Sequence, residues 1–422
     1  MATSAPGAPA PLTAGQEWRR YWPLVAAAMI GASFNSIPTA TLGLFIDPLR
    51  GEFGWSSTDI SFGVTIFAGI SIFLTPFVGV LADRFGGRLV AIPGLALCGI
   101  AFAAFATQTG WLGLWMIIWV FYTLASLLIR TIVWNRTVSS VFNAGRGLAL
   151  ALVVAGLSLP LVVAPPLTEW LISNFGWRTA YVALGLGWTG LALMLVIPFF
   201  KPPGGSRTQQ AAQQQDTAPP PDQGGIGVTE ALRSPRMLRI AAAVALQALI
   251  NAAVSIHLVP LLASEGISRM EAASIAAFLG VANLAGNLGA GWLADRVTSP
   301  LLPLAAYCLP AAGFAVLLNA GGSMPMIFLA ATLLGLGGGG ALQLGIYLTS
   351  RYAGVRNFAT IYGFINSLQT LTSGIGPIAA AYVFDTSGNY TQFLWAGIPV
   401  YILSGLLVFG LGRYPDHSAT TA

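Results

Sequence analysis

Ionisable side chains are scarce in the apolar stretches of this chain, so the few present are informative. Arg130 and Arg136 interrupt the apolar run 111–141, and a charge at membrane depth is costly enough to mark a ligand pathway by default. If that run is one helix centred near residue 127, Arg130 lies about 5 Å past the midplane and Arg136 about 14 Å past it. Arg136 can snorkel to the headgroups and reads as an anchor. Arg130 reaches them poorly and reads as a guanidinium fork for a carboxylate. Trp134 and Thr137 fall one and two turns further on, so the three residues are expected to share a face, with the indole walling the site. His257, between Ser255 and Pro260, titrates in the right range for proton coupling, or serves as a neutral hydrogen-bonding group. The acids nearest a pathway are Asp47 and Glu169, both at the ends of apolar runs, and Asp47 is the second candidate for coupling. Further polar candidates are Asn35, Thr39, Asn251, Asn283, Asn287, Gln343, Tyr347, Asn366 and Gln369; each could equally tie one helix to another.

Other chemistries lack residues. With His257 and His417 as its histidines and Cys98 and Cys308 as its cysteines, the chain offers no metal cluster, no disulfide framework and no nucleophile–base–acid set. Gly335-Leu-Gly-Gly-Gly-Gly340 lies inside an apolar run and follows no strand, so it reads as close helix packing rather than a phosphate loop. Asn135-Arg-Thr137 and Asn389-Tyr-Thr391 match the glycosylation pattern, the first inside an apolar run and the second relevant only in a secretory pathway. The net charge of +5 comes from arginines placed singly at the ends of apolar runs, not from a basic stripe, so no nucleic-acid partner is expected. Neither an enzyme nor a cofactor is expected.

The elements that must hold these residues follow from composition. Of 422 residues 55% are hydrophobic and 8% charged, far below the charge of a water-facing globule. Twelve apolar segments fall at about 22–46, 58–82, 88–108, 111–141, 147–172, 178–200, 237–262, 272–294, 300–319, 324–349, 357–383 and 391–412. None alternates like a barrel strand, so all are expected to be helices that satisfy their own backbone in lipid. Residues 201–236, with QQAAQQQ and APPPD, read as a linker that divides the helices six and six. Residues 1–20 read as a disordered tail without a signal peptide, 21–200 and 237–413 as the two bundles, and 414–422 as a second tail. With both termini in the cytoplasm, fourteen of the 19 lysines and arginines fall inside and Arg50, Arg178 and Arg269 outside, as the positive-inside rule demands. Trp111, Trp115 and Trp119 form a one-turn stripe expected to be an interfacial belt.

The halves repeat. Gly79-Val-Leu-Ala-Asp83-Arg84 recurs as Gly291-Trp-Leu-Ala-Asp295-Arg296 at an offset of 212, which also relates Pro165 to Pro377 and Gly176 to Gly388. Duplicated bundles place a substrate site at their interface near the midplane, with rocking between them for access.

In Gly79-Val-Leu-Ala-Asp-Arg-Phe-Gly-Gly-Arg88 and its copy at 291–296, the chain resembles the major facilitator superfamily. A finer resemblance, to the monocarboxylate transporters and oxalate/formate antiporters, rests on Glu52-Phe-Gly-Trp-Ser56, Arg146-Gly-Leu-Ala149, Phe175-Gly-Trp-Arg178, His257-Leu-Val-Pro260 and Asp385-Thr-Ser-Gly-Asn-Tyr390. The resemblance implies twelve transmembrane helices in two six-helix bundles and a gating role for Asp83, Arg84, Arg88, Asp295 and Arg296. It also implies a small organic anion as substrate. This chain departs from the family pattern where an arginine and an aspartate of the eighth helix stand as Asn287 and Asn283, and where a first-helix lysine stands as Thr39 or a neighbour. The expectation is a monomeric carrier in a cell membrane moving a small monocarboxylate or aromatic acid by proton symport or anion exchange. A hydrophobic-compound efflux pump and a non-transporting carboxylate sensor are the alternatives. Arg130, Trp134, Thr39, Asn251, Asn283, Asn287, Gln343 and Tyr347 are the expected substrate residues.

Overall fold

The computed structural model describes residues 13–142, 145–201, 225–294, 296–297, 299–354, 357–412 and 414–415. Ten helical stretches in it are long and apolar enough to cross a membrane. One of them, Leu148–Phe199, has 52 residues and turns back at Gly176, whose φ of 81° breaks the helix; it supplies two crossings. The helix Phe358–Ser387, richer in Asn, Gln, Ser and Thr, completes twelve spans. The expected tails and linker fall largely on residues 1–12, 202–224 and 416–422, outside the described residues.

Span 1 is Ala14–Ser33, a 3-10 turn Phe34–Ser36 and Ile37–Phe53. It ends at Gly54, held left-handed at φ 68°. Span 2, Ser57–Phe85, then starts from a capping box: Asp59 N–H donates to Ser56 Oγ, and Ser56 N–H donates to the Asp59 carboxylate. Span 3 is Gly87–Ala104, and span 6 runs from the break at Gly176 through the π-helical turn Ala183–Gly187 to the end of Trp188–Phe199. Span 4 was expected as one helix and is two, Leu112–Leu127 and Thr131–Ser139. Leu128, Ile129 and Arg130 donate to carbonyls three residues back, and Arg130 itself is extended (ψ 150°). Span 5 is interrupted likewise, by the 3-10 turn Gly156–Ser158. In the second half, spans 7 (Pro235–Ser264), 8 (Arg269–Ala294), 10 (Met324–Ala353) and 11 (Phe358–Ser387) each run as one helix. Spans 9 and 12 are Leu301–Leu318 and Thr391–Val408.

The first six spans bury one continuous core. Trp115 and Trp119 belong to it, Trp119 packed edge-on against Phe105 and Trp115, and Trp115 tilted on Phe105. Of the stripe expected as an interfacial belt, only Trp111 is exposed; helical spacing cannot tell a lipid-facing stripe from a core-facing one. The second bundle has two apolar layers. One, around Ile250, Phe314 and Tyr401, reaches Leu44 of span 1; the other, around Tyr307, Leu344 and Ile361, lies nearer the termini. Gln247, Asn251 and Asn283 sit between the layers.

The bundles meet most closely on the side remote from the termini, hereafter the distal side. There a Cβ on Gly43 would collide with the Ile256 carbonyl, and one on Gly374 with the Ala68 side chain. Overpacking of this kind costs about 1–3 kcal/mol, so Gly43→Val should shift the bundles apart distally. A cysteine at Ser61, fully buried here, should then react with an impermeant maleimide from the distal side; equal protection in both backgrounds would disprove the effect.

Candidate functional site

A cavity of about 450 Å³ lies between the bundles, in the size range of small-molecule sites. The first bundle lines it with Ser36, Thr39, Phe67 and Arg130, and the second with Gln247, Asn251, Asn283, Tyr307, Asn366 and Gln369. Arg130 enters it because span 4 breaks at that residue. The carbonyl of Ile129, freed from the helix ladder, accepts from Asn35 Nδ2 at 2.6 Å and from Trp134 Nε1 at 2.8 Å. Two interrupted helices thus satisfy one another, as irregular backbone at this depth requires.

The guanidinium lies 5.3 Å from the centroid of the Phe67 ring. Its Nε and Nη2 are buried without a hydrogen-bond partner, and no ion pair reaches it among the described residues. A cation–π contact is worth about 2 kcal/mol when desolvated, less than the cost of keeping a cation from water. The group is poised for an anion.

The structure distributes the expected substrate residues unevenly. Arg130, Thr39, Asn251 and Asn283 come together on the cavity. Trp134 does not: its ring is fully buried, packed on Phe200 and against Gly31, and its N–H is spent on Ile129. Because the helix starts anew at Thr131, the spacing from Arg130 to Trp134 does not put both on one face; the indole positions the arginine's backbone instead. Asn287, Gln343 and Tyr347 lie off the cavity lining, Gln343 against Gly291 and Tyr347 edge-on to Tyr414. Of the residues expected to gate, Arg88 donates to the Ile197 carbonyl at 2.8 Å, within the first bundle. Arg84 is exposed beside Phe85, and Arg296 lies 4.0 Å from the Trp292 ring. The Asp83 side chain and all of Asp295 lie outside the described residues.

The two coupling candidates, His257 and Asp47, sit not on the cavity but in a polar seam that joins the bundles distally. Asp47 pairs with Arg269 at 2.5 Å, and the same guanidinium pairs with Glu169 at 3.2 Å and donates to the Leu44 carbonyl at 2.6 Å. Asp385 accepts from the backbone N–H groups of Ser57 and Thr58, at 3.0 and 2.8 Å, and from the Thr58 hydroxyl. It thereby caps span 2 from the opposite bundle, where a helix favours a negative charge. His257 is enclosed by the Tyr390 hydroxyl and the Pro377 carbonyl, each at 3.0 Å, and by Ser61 Oγ at 3.3 Å. Sequence reasoning missed Arg269 and Asp385 as seam residues. The available signal was charge pairing: two mouth acids and an outer arginine with no partner on their own helices.

Twelve spans in two bundles around a polar cavity, sealed at one end, define a membrane transporter rather than an enzyme. The family model for the Major Facilitator Superfamily matches residues 28–377 and 258–422, and the chain belongs to that superfamily. Among curated relatives, monocarboxylate transporter 13 of Bos taurus is 24% identical over 407 residues, covering 92% of this chain and 88% of the relative. Monocarboxylate transporter 11 of Homo sapiens is 26% identical over 426 residues, covering 93% and 83%. Among solved structures, a D-xylose–proton symporter superposes with a TM-score of 0.72 at 14% identity, over 93% of this chain and 98% of that one. An inward-facing, occupied bacterial homologue of the human lysosomal transporter Spinster gives 0.71 at 14%, over 93% and 96%.

Glu169 is the most enclosed member of the distal cluster, its side chain 4% exposed. Removing one partner of a buried ion pair costs about 3–5 kcal/mol, mostly through the stranded charge. Arg269→Gln should therefore lower the melting temperature clearly, and adding Glu169→Gln should recover most of the loss. A double variant no better than Arg269→Gln would show that the pair does not couple.

Proposed function

We propose that the chain is a secondary transporter that carries a small organic carboxylate by alternating access of its two bundles, 21–200 and 237–413, joined by the linker 201–236. The single observation that carries this is Arg130: a half-buried guanidinium on the inter-bundle cavity, its Nε and Nη2 enclosed and unpartnered, with no acid among the described residues to neutralise it. The monocarboxylate transporters among its relatives support the same substrate class. Charge asymmetry along the chain supports cytoplasmic termini in a cell membrane, which makes the distal seam the outer gate. For substrate to enter from outside, the Arg269 cluster, the Asp385 cap and the His257 contacts must all part.

Anion exchange fits the site better than proton symport. When the carboxylate leaves, Arg130 is bare, and closing the bundles over a bare cation is unfavourable. A proton cannot relieve this, because an arginine stays charged at any physiological pH and no carboxylate or histidine among the described residues lines the cavity. A second anion relieves it directly. Symport remains the second reading on one observation: His257 bridges spans 2, 7 and 11 at the gate, where its protonation state could bias opening.

In proteoliposomes, uptake of a labelled carboxylate should require unlabelled acid inside. Arg130→Gln should lower it roughly 10- to 100-fold, as for loss of a charged hydrogen bond. Full uptake driven by a proton gradient into empty vesicles would favour symport. Undiminished transport of a hydrophobic compound by Arg130→Gln, with no acid transported, would establish the efflux alternative.

A further inference from the structure

We infer that the cavity selects a monoanionic acid with a polyhydroxylated body, a sugar acid of the aldonate or uronate type, rather than a hydrocarbon-chain carboxylate. The inference rests on the carboxylate reading above and adds the chemistry of the rest of the molecule.

The charge inventory sets the ligand's charge. Among the described residues Arg130 is the one charged residue lining the cavity, with no Asp, Glu, Lys or His beside it. A dicarboxylate would leave its second charge unpaired, and a zwitterionic amino acid its ammonium. Either would bury an uncompensated ion.

The hydrogen-bond inventory sets the body. Across from Arg130, the second bundle offers polar atoms that the protein itself leaves unused. Gln247 Nε2, Gln369 Oε1 and the Tyr307 hydroxyl are buried without partners. The Asn283 and Asn366 amides line the cavity without a side-chain hydrogen bond among the described residues. Asn251 has its Oδ1 occupied by the Tyr401 hydroxyl at 2.8 Å, which leaves its amino group as the free end. The amino groups of Asn251 and Asn283 lie 3.2 and 3.3 Å from where a Cβ on Gly338 would stand; the absent side chain keeps both donors open. Donors and acceptors mixed on one wall suit hydroxyl groups, each of which can donate and accept. An alkyl chain against the same wall would strand buried polar atoms, and sites built to hydrogen-bond discriminate strongly against analogues lacking the group. At about 450 Å³ the cavity holds a six-carbon acid with ease.

The test uses the purified full-length protein and thermal shift, since a ligand that binds only the folded state raises the melting point with saturation. The probes are gluconate, glucuronate, hexanoate, glucose, glucarate and serine. The sugar monoacids should bind at least roughly ten-fold more tightly than the others, in line with several hydrogen bonds gained. Asn283→Leu should weaken gluconate by roughly ten-fold and bind hexanoate no less tightly than before; Gln369→Leu provides the same comparison should the first variant melt early without ligand. Hexanoate equal to gluconate would overturn this inference and leave carboxylate transport standing, as would glucarate binding most tightly. Glucose equal to gluconate, with Arg130→Gln indifferent to both, would sink the carboxylate reading and this inference with it. Silence from every probe would do the same.

Discussion

The carbonyl of Ile129 is the point on which the site depends. A helix that ran unbroken through span 4 would bond that oxygen to its own ladder and leave Arg130 wherever helical phase directed it. Instead the ladder tightens over 128–130, and the oxygen is taken by Asn35 of span 1 and by the indole of Trp134. Both donors belong to segments that are themselves interrupted or newly started, so neither break is stable without the other. A half-buried cation results, held by backbone geometry rather than by a counter-charge among the described residues. Its remaining hydrogen-bonding capacity faces the cavity.

The two bundles have diverged around this point while keeping the repeat that relates them. The first carries the breaks, in spans 1, 4 and 5, and with them the charge. The second keeps spans 7, 10 and 11 continuous and supplies amides and a tyrosine between two apolar layers. A rigid wall of neutral dipoles thus opposes a single cation on a jointed wall.

The distal seam closes one side of the cavity between the bundles. Its interactions are of the kind that can be remade: ion pairs partly reached by water, a carboxylate on a helix start, a histidine between a hydroxyl and a carbonyl. Close backbone approach at Gly43 and Gly374 makes the closed arrangement compact. The polar contacts make it specific in register.

Much of this protein was legible in the sequence. Twelve spans, the division into six and six, the superfamily and the prominence of Arg130 all follow from apolar runs of bilayer length, a duplicated motif and the cost of a charge in lipid. Those are one-dimensional signals, because the membrane imposes the same constraint on every segment alone. The sequence was silent where two segments had to agree. It could not show that Trp115 and Trp119 face the core or that Trp134 supports a backbone oxygen. Nor could it place Asp47 and His257 in a seam between the bundles, or show which carboxamides reach the cavity. Each of these depends on the rotation of one helix against another and on a break whose stability comes from a partner 94 residues away in the chain. Only the tertiary structure brings both halves of such an interaction together.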